Sequence, residues 1–282
     1  MKKILISLGL LTTLINASEF QYGNGTFEME GGFIGLNKTL STDISIYSLV
    51  EKHKNLFGSK FFYGYNLTYY QADKVTNKQE NIQYITPVTI PAIDYKYEGF
   101  DIGATLGYDV LSKDETNKLG VGLYIGVSLP YIETNKSDDN DDDSSDDIFD
   151  AMKKTKTDIL TMKIGPTIDG IKSLNKYLSI YGSATIAYQF GYMKNDYANS
   201  DINVDGIYQE YDIGLKFMPF KENYKFKYLT LSPRIYATIG YKYTSWLMKD
   251  VAIDVTGVGV NLQNTDFKMN TSNMYFGFGY SF

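Results

Sequence analysis

Residues 119–131 read LGVGLYIGVSLPY. Taken in steps of two, Leu119, Val121, Leu123, Ile125, Val127, Leu129 and Tyr131 fall on one face. Gly120, Gly122, Tyr124, Gly126, Ser128 and Pro130 fall on the other. A strict period of two is the mark of a β-strand. Strands of soluble proteins are usually about 5–6 residues long, so this alternation is long for one. It suits a tilted strand that crosses a bilayer and overhangs it.

The pattern recurs on both sides of this stretch. FDIGATLGYDV sets Phe100, Ile102, Ala104, Leu106, Tyr108 and Val110 against Asp101, Gly103, Thr105, Gly107 and Asp109. FFYGYNLTY, DILTMKIGPTI, LSIYGSATIAYQFGY, IYQEYDIGLKF and LTLSPRIYATIGYKY alternate in the same way, and so does MYFGFGYSF at 274–282. Two weaker segments precede them. TFEMEGGFIG has Phe27 and Met29 opposite Glu28 and Glu30, and TDISIYSLV has Ile44 and Ile46 but loses a clean face at Tyr47. Ten strands are therefore expected.

Composition agrees with this count. There are 26 Tyr, 16 Phe and 25 Gly but only 6 Pro, and the mean hydropathy is -0.25. Alternating lipid-facing and lumen-facing residues cancel in a hydropathy average, so a transmembrane barrel looks soluble by that measure. The expected fold is an all-β, closed antiparallel transmembrane β-barrel forming one domain over 19–282. A soluble β-sandwich with aromatic core residues is the competing reading.

Residues 1–18, MKKILISLGLLTTLINAS, read as a secretory signal peptide. Lys2 and Lys3 precede an apolar run, and Ala17 and Ser18 offer a cleavage site. The run is well short of the ~20 residues that a spanning helix needs. The chain has no cysteine, so it has neither disulfides nor thiolate metal ligands. Its net charge is -6, and eight of its acids are the aspartates between Asp138 and Asp150. The acidity is thus local, and nothing points to a nucleic-acid partner.

Connections should sort by length if the strands span a membrane. The turns 51–60, SKDETNK, SLNKY and KENYKFK are expected on the periplasmic side. The longer connections 72–93, 133–157, 194–206 and 247–268 are expected outside, with 37–42 a short exception. Tyr69 and Tyr70, Tyr95 and Tyr97, Tyr188 to Tyr192, and Tyr241 to Trp246 lie near strand ends, where a membrane interface favours aromatic rings.

The stretch MYFGFGYSF adds a more specific signal. Met274, Phe276, Phe278, Tyr280 and Phe282 are apolar at alternate places and finish on phenylalanine. They resemble the C-terminal signature of bacterial outer-membrane β-barrels. The resemblance implies a final strand that the barrel-assembly machinery reads and that pairs with the first strand. It also implies insertion in the outer membrane of a diderm bacterium, with membrane lipids and lipopolysaccharide as partners. Gly277 and Gly279 would then face the lumen.

On this reading Glu28, Glu30, Asp101, Lys163, Glu210, Asp212, Lys216, Arg234 and Lys242 face inward. Arg234 is the only arginine, and its strand would neighbour Glu210 and Asp212, so a charge-assisted pair is expected there. Such a network either plugs a narrow lumen or lines a pore for small solutes. Ten strands are only slightly more than the number whose side chains fill the interior.

The acidic run places Asp139, Asp141, Asp143, Asp147 and Asp150 at ligand positions of a Ca²⁺-binding loop. Ser144 stands where such a loop needs glycine, so the default reading is a solvated surface loop. Loose Ca²⁺ binding beside lipopolysaccharide is the alternative, and no other cofactor is read. No catalytic motif is present, and the one histidine, His53, lies in the first periplasmic turn. The chain is thus read as a non-enzyme. Two function classes follow: a narrow small-solute channel or transporter, and a structural or adhesin-like surface protein with a plugged lumen.

Overall fold

Backbone amides inside a bilayer must all be paired, which leaves a sheet no choice but to close. A computed structural model describes residues 19–33, 36–53, 59–77, 80–83, 87–90, 93–111, 117–136, 154–195, 202–220, 224–226, 229–231, 235–251 and 265–280. The wall is built from β1 (Glu19–Phe33), β2 (Leu36–His53), β3 (Phe61–Ala72) with its continuation β4 (Val75–Asn77), β7 (Ile93–Asp109) and β8 (Asn117–Lys136). It continues through β9 (Lys154–Ser173), β10 (Leu178–Asn195), β11 (Ile202–Phe217), β14 (Ile235–Val251) and β15 (Thr265–Tyr280). Each strand pairs antiparallel with the next, and β1 pairs with β15 to shut the ring. β3 and β4 follow one another along β7, so the wall has ten staves. Two small hairpins stand apart: β5 (Glu80–Gln83) with β6 (Pro87–Ile90), and β12 (Tyr224–Phe226) with β13 (Leu229–Leu231).

The stagger can be read from the register. Paired neighbours of Phe20 run one way through Leu49, Leu67, Ile102, Val127 and Met162 to Phe190. The other way they run through Phe278, Ala237 and Phe217 to Leu178. Both paths end on β10, twelve residues apart. Ten staves with that shear tilt by roughly 40°. Every side chain in the row is apolar, and the row lies on the outside of the barrel.

An even number of antiparallel strands with an apolar exterior bounded by tyrosines is the architecture of an outer-membrane β-barrel. Met274, Phe276, Phe278 and Tyr280 point outward, 62, 59, 58 and 37 % exposed, and Gly277 and Gly279 point inward. Phe282 lies outside the described residues.

The faces exchange character part-way along every stave. Near the chain termini the outside is apolar and the inside polar. Towards the far end the inside becomes apolar and the outside polar. Tyr22 faces out on β1, but Phe27 faces in; Tyr241 faces out on β14, but Trp246 faces in. The same slip separates Ile46 from Tyr47, Ile132 from Tyr131, Ile159 from Leu160, and Met269 from Met274. Below the slip the wall meets lipid. Above it the barrel rises into water and needs a core of its own.

This slip corrects the expectation for Glu28 and Glu30. They do not face the lumen. Phe27 and Met29 do, packed in the core, while both glutamates are exposed on the outer wall. Applying the lipid rule above the membrane inverted the two faces. Tyr70, Tyr97 and Trp246 likewise line the interior rather than an interface. Tyr69, Tyr188 and Tyr192 do lie on the outer surface.

Connections sort less cleanly than expected. Residues 54–60, 110–116 and 174–177 at the terminus-bearing end are short, against 73–92, 137–153 and 252–264 at the other. The connection 218–234 breaks the pattern, because Tyr224–Phe226 and Leu229–Leu231 pair with each other as β12 and β13 rather than starting a stave. At the far end, β10 and β11 are joined by 196–201, not the long connection expected there, and β1 and β2 by 34–35 alone. The acidic run lies outside the described residues.

Candidate functional site: a polar cavity closed by an aromatic barrier

Inward positions in the terminus-proximal half are polar because they face neither lipid nor a packed core. They enclose a cavity of about 390 Å³. Glu19, Lys52, Lys118, Asp169, Glu210, Asp212, Lys216 and Lys242 all contribute to its lining. The staves fix their positions: Asp212 pairs in register with Lys242, and Glu210 with Thr244.

Hydroxyl groups satisfy most of these acids. Tyr275 donates to Asp212 Oδ1 at 2.6 Å, and Tyr208 donates to Glu210 Oε2 at 2.9 Å. Glu19 Oε1 accepts from Thr238 at 2.6 Å and from Gln21 at 2.8 Å. Lys118 pairs with Asp169 at 2.8 Å and lies 3.1 Å over the Phe62 ring. The Lys216 ammonium lies 3.4 Å over the Tyr236 ring. A charged group in a low-dielectric lumen needs such partners.

Farther from the termini the lumen closes. Lys163 pairs with Asp101 at 2.7 Å, their side chains 0 and 7 % exposed. Ser128 donates a further hydrogen bond to Asp101. Trp246 Nε1 reaches across the barrel to donate to Ser128 Oγ at 3.1 Å. The Lys163 ammonium sits 3.8 Å over the Tyr208 ring, a desolvated cation–π contact.

Six rings then run in unbroken contact through the interior. Tyr124 stacks on Tyr208, Tyr208 meets Trp246, Trp246 meets Tyr70, Tyr70 stacks on Tyr97, and Tyr97 stacks on Phe27. They come from β8, β11, β14, β3, β7 and β1, so they brace the wall from opposite sides. All six are buried. Met248, Met269, Ile44 and Met193 pack around them.

The structure thus brings Asp101 together with Lys163, and Glu210 and Asp212 into one cavity with Lys216 and Lys242. It sets Glu28 and Glu30 apart on the outer surface. Arg234 lies outside the described residues, and the register puts Lys242 opposite Asp212. Asp139, Asp141, Asp143, Asp147 and Asp150 are also outside the described residues. Among the described residues no group of three or more His, Asp or Glu side chains could hold a metal ion. The barrier rings were missed in the sequence, yet a signal existed. Trp246 is out of phase with Tyr241 and Tyr243, and Tyr70 with Tyr69.

No protein-family model and no curated protein matches the chain. Several solved structures align with it. The outer membrane protease OmpT from Escherichia coli is 7 % identical, covering 94 % of this chain and 97 % of its own, at a TM-score of 0.46. The transport unit of the autotransporter AIDA-I from Escherichia coli is 10 % identical, covering 94 % and 90 %, at 0.41. The outer membrane protein OprG from Pseudomonas aeruginosa is 12 % identical, covering 94 % and 96 %, at 0.28.

Proposed function

We propose that the chain is an outer-membrane barrel that does not conduct through its lumen and acts at its water-facing end as a structural or adhesin-like surface protein. The six-ring barrier carries this reading. A solute entering the polar cavity would have to displace rings that are 1 to 5 % exposed and packed against one another. The polar outer wall above the membrane also supports it, since a stave that continues beyond the bilayer holds its connections away from the lipid surface. The exposed side chains of β15 fit a strand that the barrel-assembly machinery would recognise.

The narrow-channel reading keeps one observation in its favour, the charged cavity below the barrier. Single-channel recording in planar bilayers separates the two. The wild type should give no conductance steps, and Phe27→Ala with Trp246→Ala should give some. Steady wild-type conductance at low voltage would overturn the closed-barrel reading and favour the channel.

A further inference from the structure

The far boundary of the lipid-facing belt follows a single hydrogen-bonded row. Asn24, Ser45, Gln71, Glu98, Tyr131, Asp158 and Lys194 are successive partners on β1, β2, β3, β7, β8, β9 and β10. All point outward, and all but Tyr131 are polar. One row nearer the termini the outer face is aromatic: Tyr22, Tyr47, Tyr69 and Phe100 touch in sequence, with centroids 5.2, 6.3 and 4.9 Å apart. Interfacial rings therefore mark the same line as the onset of polarity.

That line is not level. With the staves tilted roughly 40°, a row climbs about 3 Å along the barrel axis per strand, or about 18 Å from β1 to β10. Among the described residues of β3, β7, β8, β10, β11, β14 and β15, the opposite boundary is nearly flat. By the same stagger, Phe61, Tyr108, Leu119, Ile180, Phe217, Ile235 and Tyr280 lie within about 5 Å of one level. The belt is therefore unequal in height. On β10 it runs from Leu178 to Tyr192, roughly 35 Å, whereas its described part on β15 runs from Tyr280 to Met274, roughly 15 Å. The apolar band of such barrels is about 25 Å tall. Tilting the whole barrel would level one boundary only by sloping the other.

We infer that the bilayer thins beside the wall β15–β1–β2, where lipid headgroups of the far leaflet descend to Asn24, Ser45 and Ser272. The inference rests on the barrel spanning the membrane. The occupant is the headgroup layer rather than a second copy of the chain. Glu28, Glu30, Asp43 and Asp266 stand just above on the same wall beside Lys268, and a two-fold contact would set this net-acidic surface against itself.

The chain has no cysteine. Asn24→Cys, Ser45→Cys, Ser272→Cys, Ile164→Cys and Ile186→Cys therefore each give one labelling site. Ile164 and Ile186 face lipid at about the same axial level as Asn24, on the tall side. Each variant is refolded into phosphatidylcholine vesicles and labelled with a polarity-insensitive fluorophore. Quenching by aqueous iodide is then compared with quenching by brominated acyl chains. Labels at 24, 45 and 272 should be quenched several-fold more by iodide than those at 164 and 186, with the order reversed for brominated lipid. Equal brominated-lipid quenching at all five sites would overturn the thinning. Shielding of 24, 45 and 272 from both quenchers, with cross-linking between copies, would overturn it in favour of a second chain. Iodide access at 164 and 186 would instead remove the spanning barrel on which the inference rests.

Discussion

Phe27 stacks on Tyr97 with ring centroids 4.1 Å apart and 13° between planes, although β1 and β7 are not neighbours in the wall. The contact passes through the interior and ties together staves that β2 and β3 separate in the wall. Removing the Phe27 ring leaves a cavity that its braced neighbours cannot collapse, so Phe27→Ala should cost about 3–5 kcal/mol. Urea titration of the vesicle-inserted protein measures the loss, with Ile102→Ala on the lipid face as comparison. A loss no larger than that of Ile102→Ala would show that the rings do not brace the wall.

The exchange of faces along β1 makes neighbouring residues behave oppositely. Glu28→Gln and Glu30→Gln lie on the outer, solvated surface and should each change stability by less than about 0.5 kcal/mol. Phe27→Asp buries an unpaired carboxylate among the rings and should prevent recovery of the folded, heat-modifiable band on gels. Severe effects from both glutamine variants, with tolerance at Phe27, would reverse the assignment of faces.

Lys163 and Asp101 form a buried pair, so each needs the other. Lys163→Met alone should cost about 3–5 kcal/mol, because it leaves a carboxylate buried without its cation. Combining it with Asp101→Leu should recover much of that loss, as apolar replacement of a whole buried pair often does. Denaturation midpoints of the two single variants and the double variant test this. A double variant as unstable as the sum of the singles would show that the pair is not coupled.

The seam between first and last staves depends on a close backbone approach at Gly25. A Cβ there would come within 1.9 Å of Ser272 O and 2.5 Å of Asn273 Cα, both backbone atoms. Gly25→Ala should therefore slow or block closure, read as the fraction of protein that fails to shift on unheated gels. Gly170→Ala is the control, since its nearest neighbour is 3.3 Å away. Equal folding of the two variants would exclude a steric requirement at the seam.

The wall was legible in the sequence where a stave meets lipid along most of its length. Residues 119–131 keep one phase throughout, and their lipid face was assigned residue by residue. So were Asp101, Lys163, Glu210, Asp212, Lys216 and Lys242 as inward groups. Legibility failed where the environment changes but the backbone does not. Above the membrane Phe27 obeys the logic of a water-surrounded core, so alternation survives while its meaning reverses. The broken face noted at Tyr47 was that boundary, with Ile46 inward and Tyr47 outward. The β12–β13 hairpin was missed because Leu229 and Leu231 extend the phase of Ile235 through an interruption that period alone does not register. The contact of six rings from six staves has no local sequence signature, because it depends on the stagger that brings distant residues to one level.

β1 and β15 are hydrogen-bonded from Glu19 opposite Gly279 to Gly31 opposite Phe267. This pairing joins residues separated by most of the sequence, and such contacts form late. A ribosome delivers β1 first and β15 last. Throughout that interval every copy carries an unpaired edge able to recruit the strand of another copy. The exposure of that edge lasts for the whole time between the making of these two strands. The hazard is set by the order of manufacture, and extra stability in the finished barrel does nothing to shorten it.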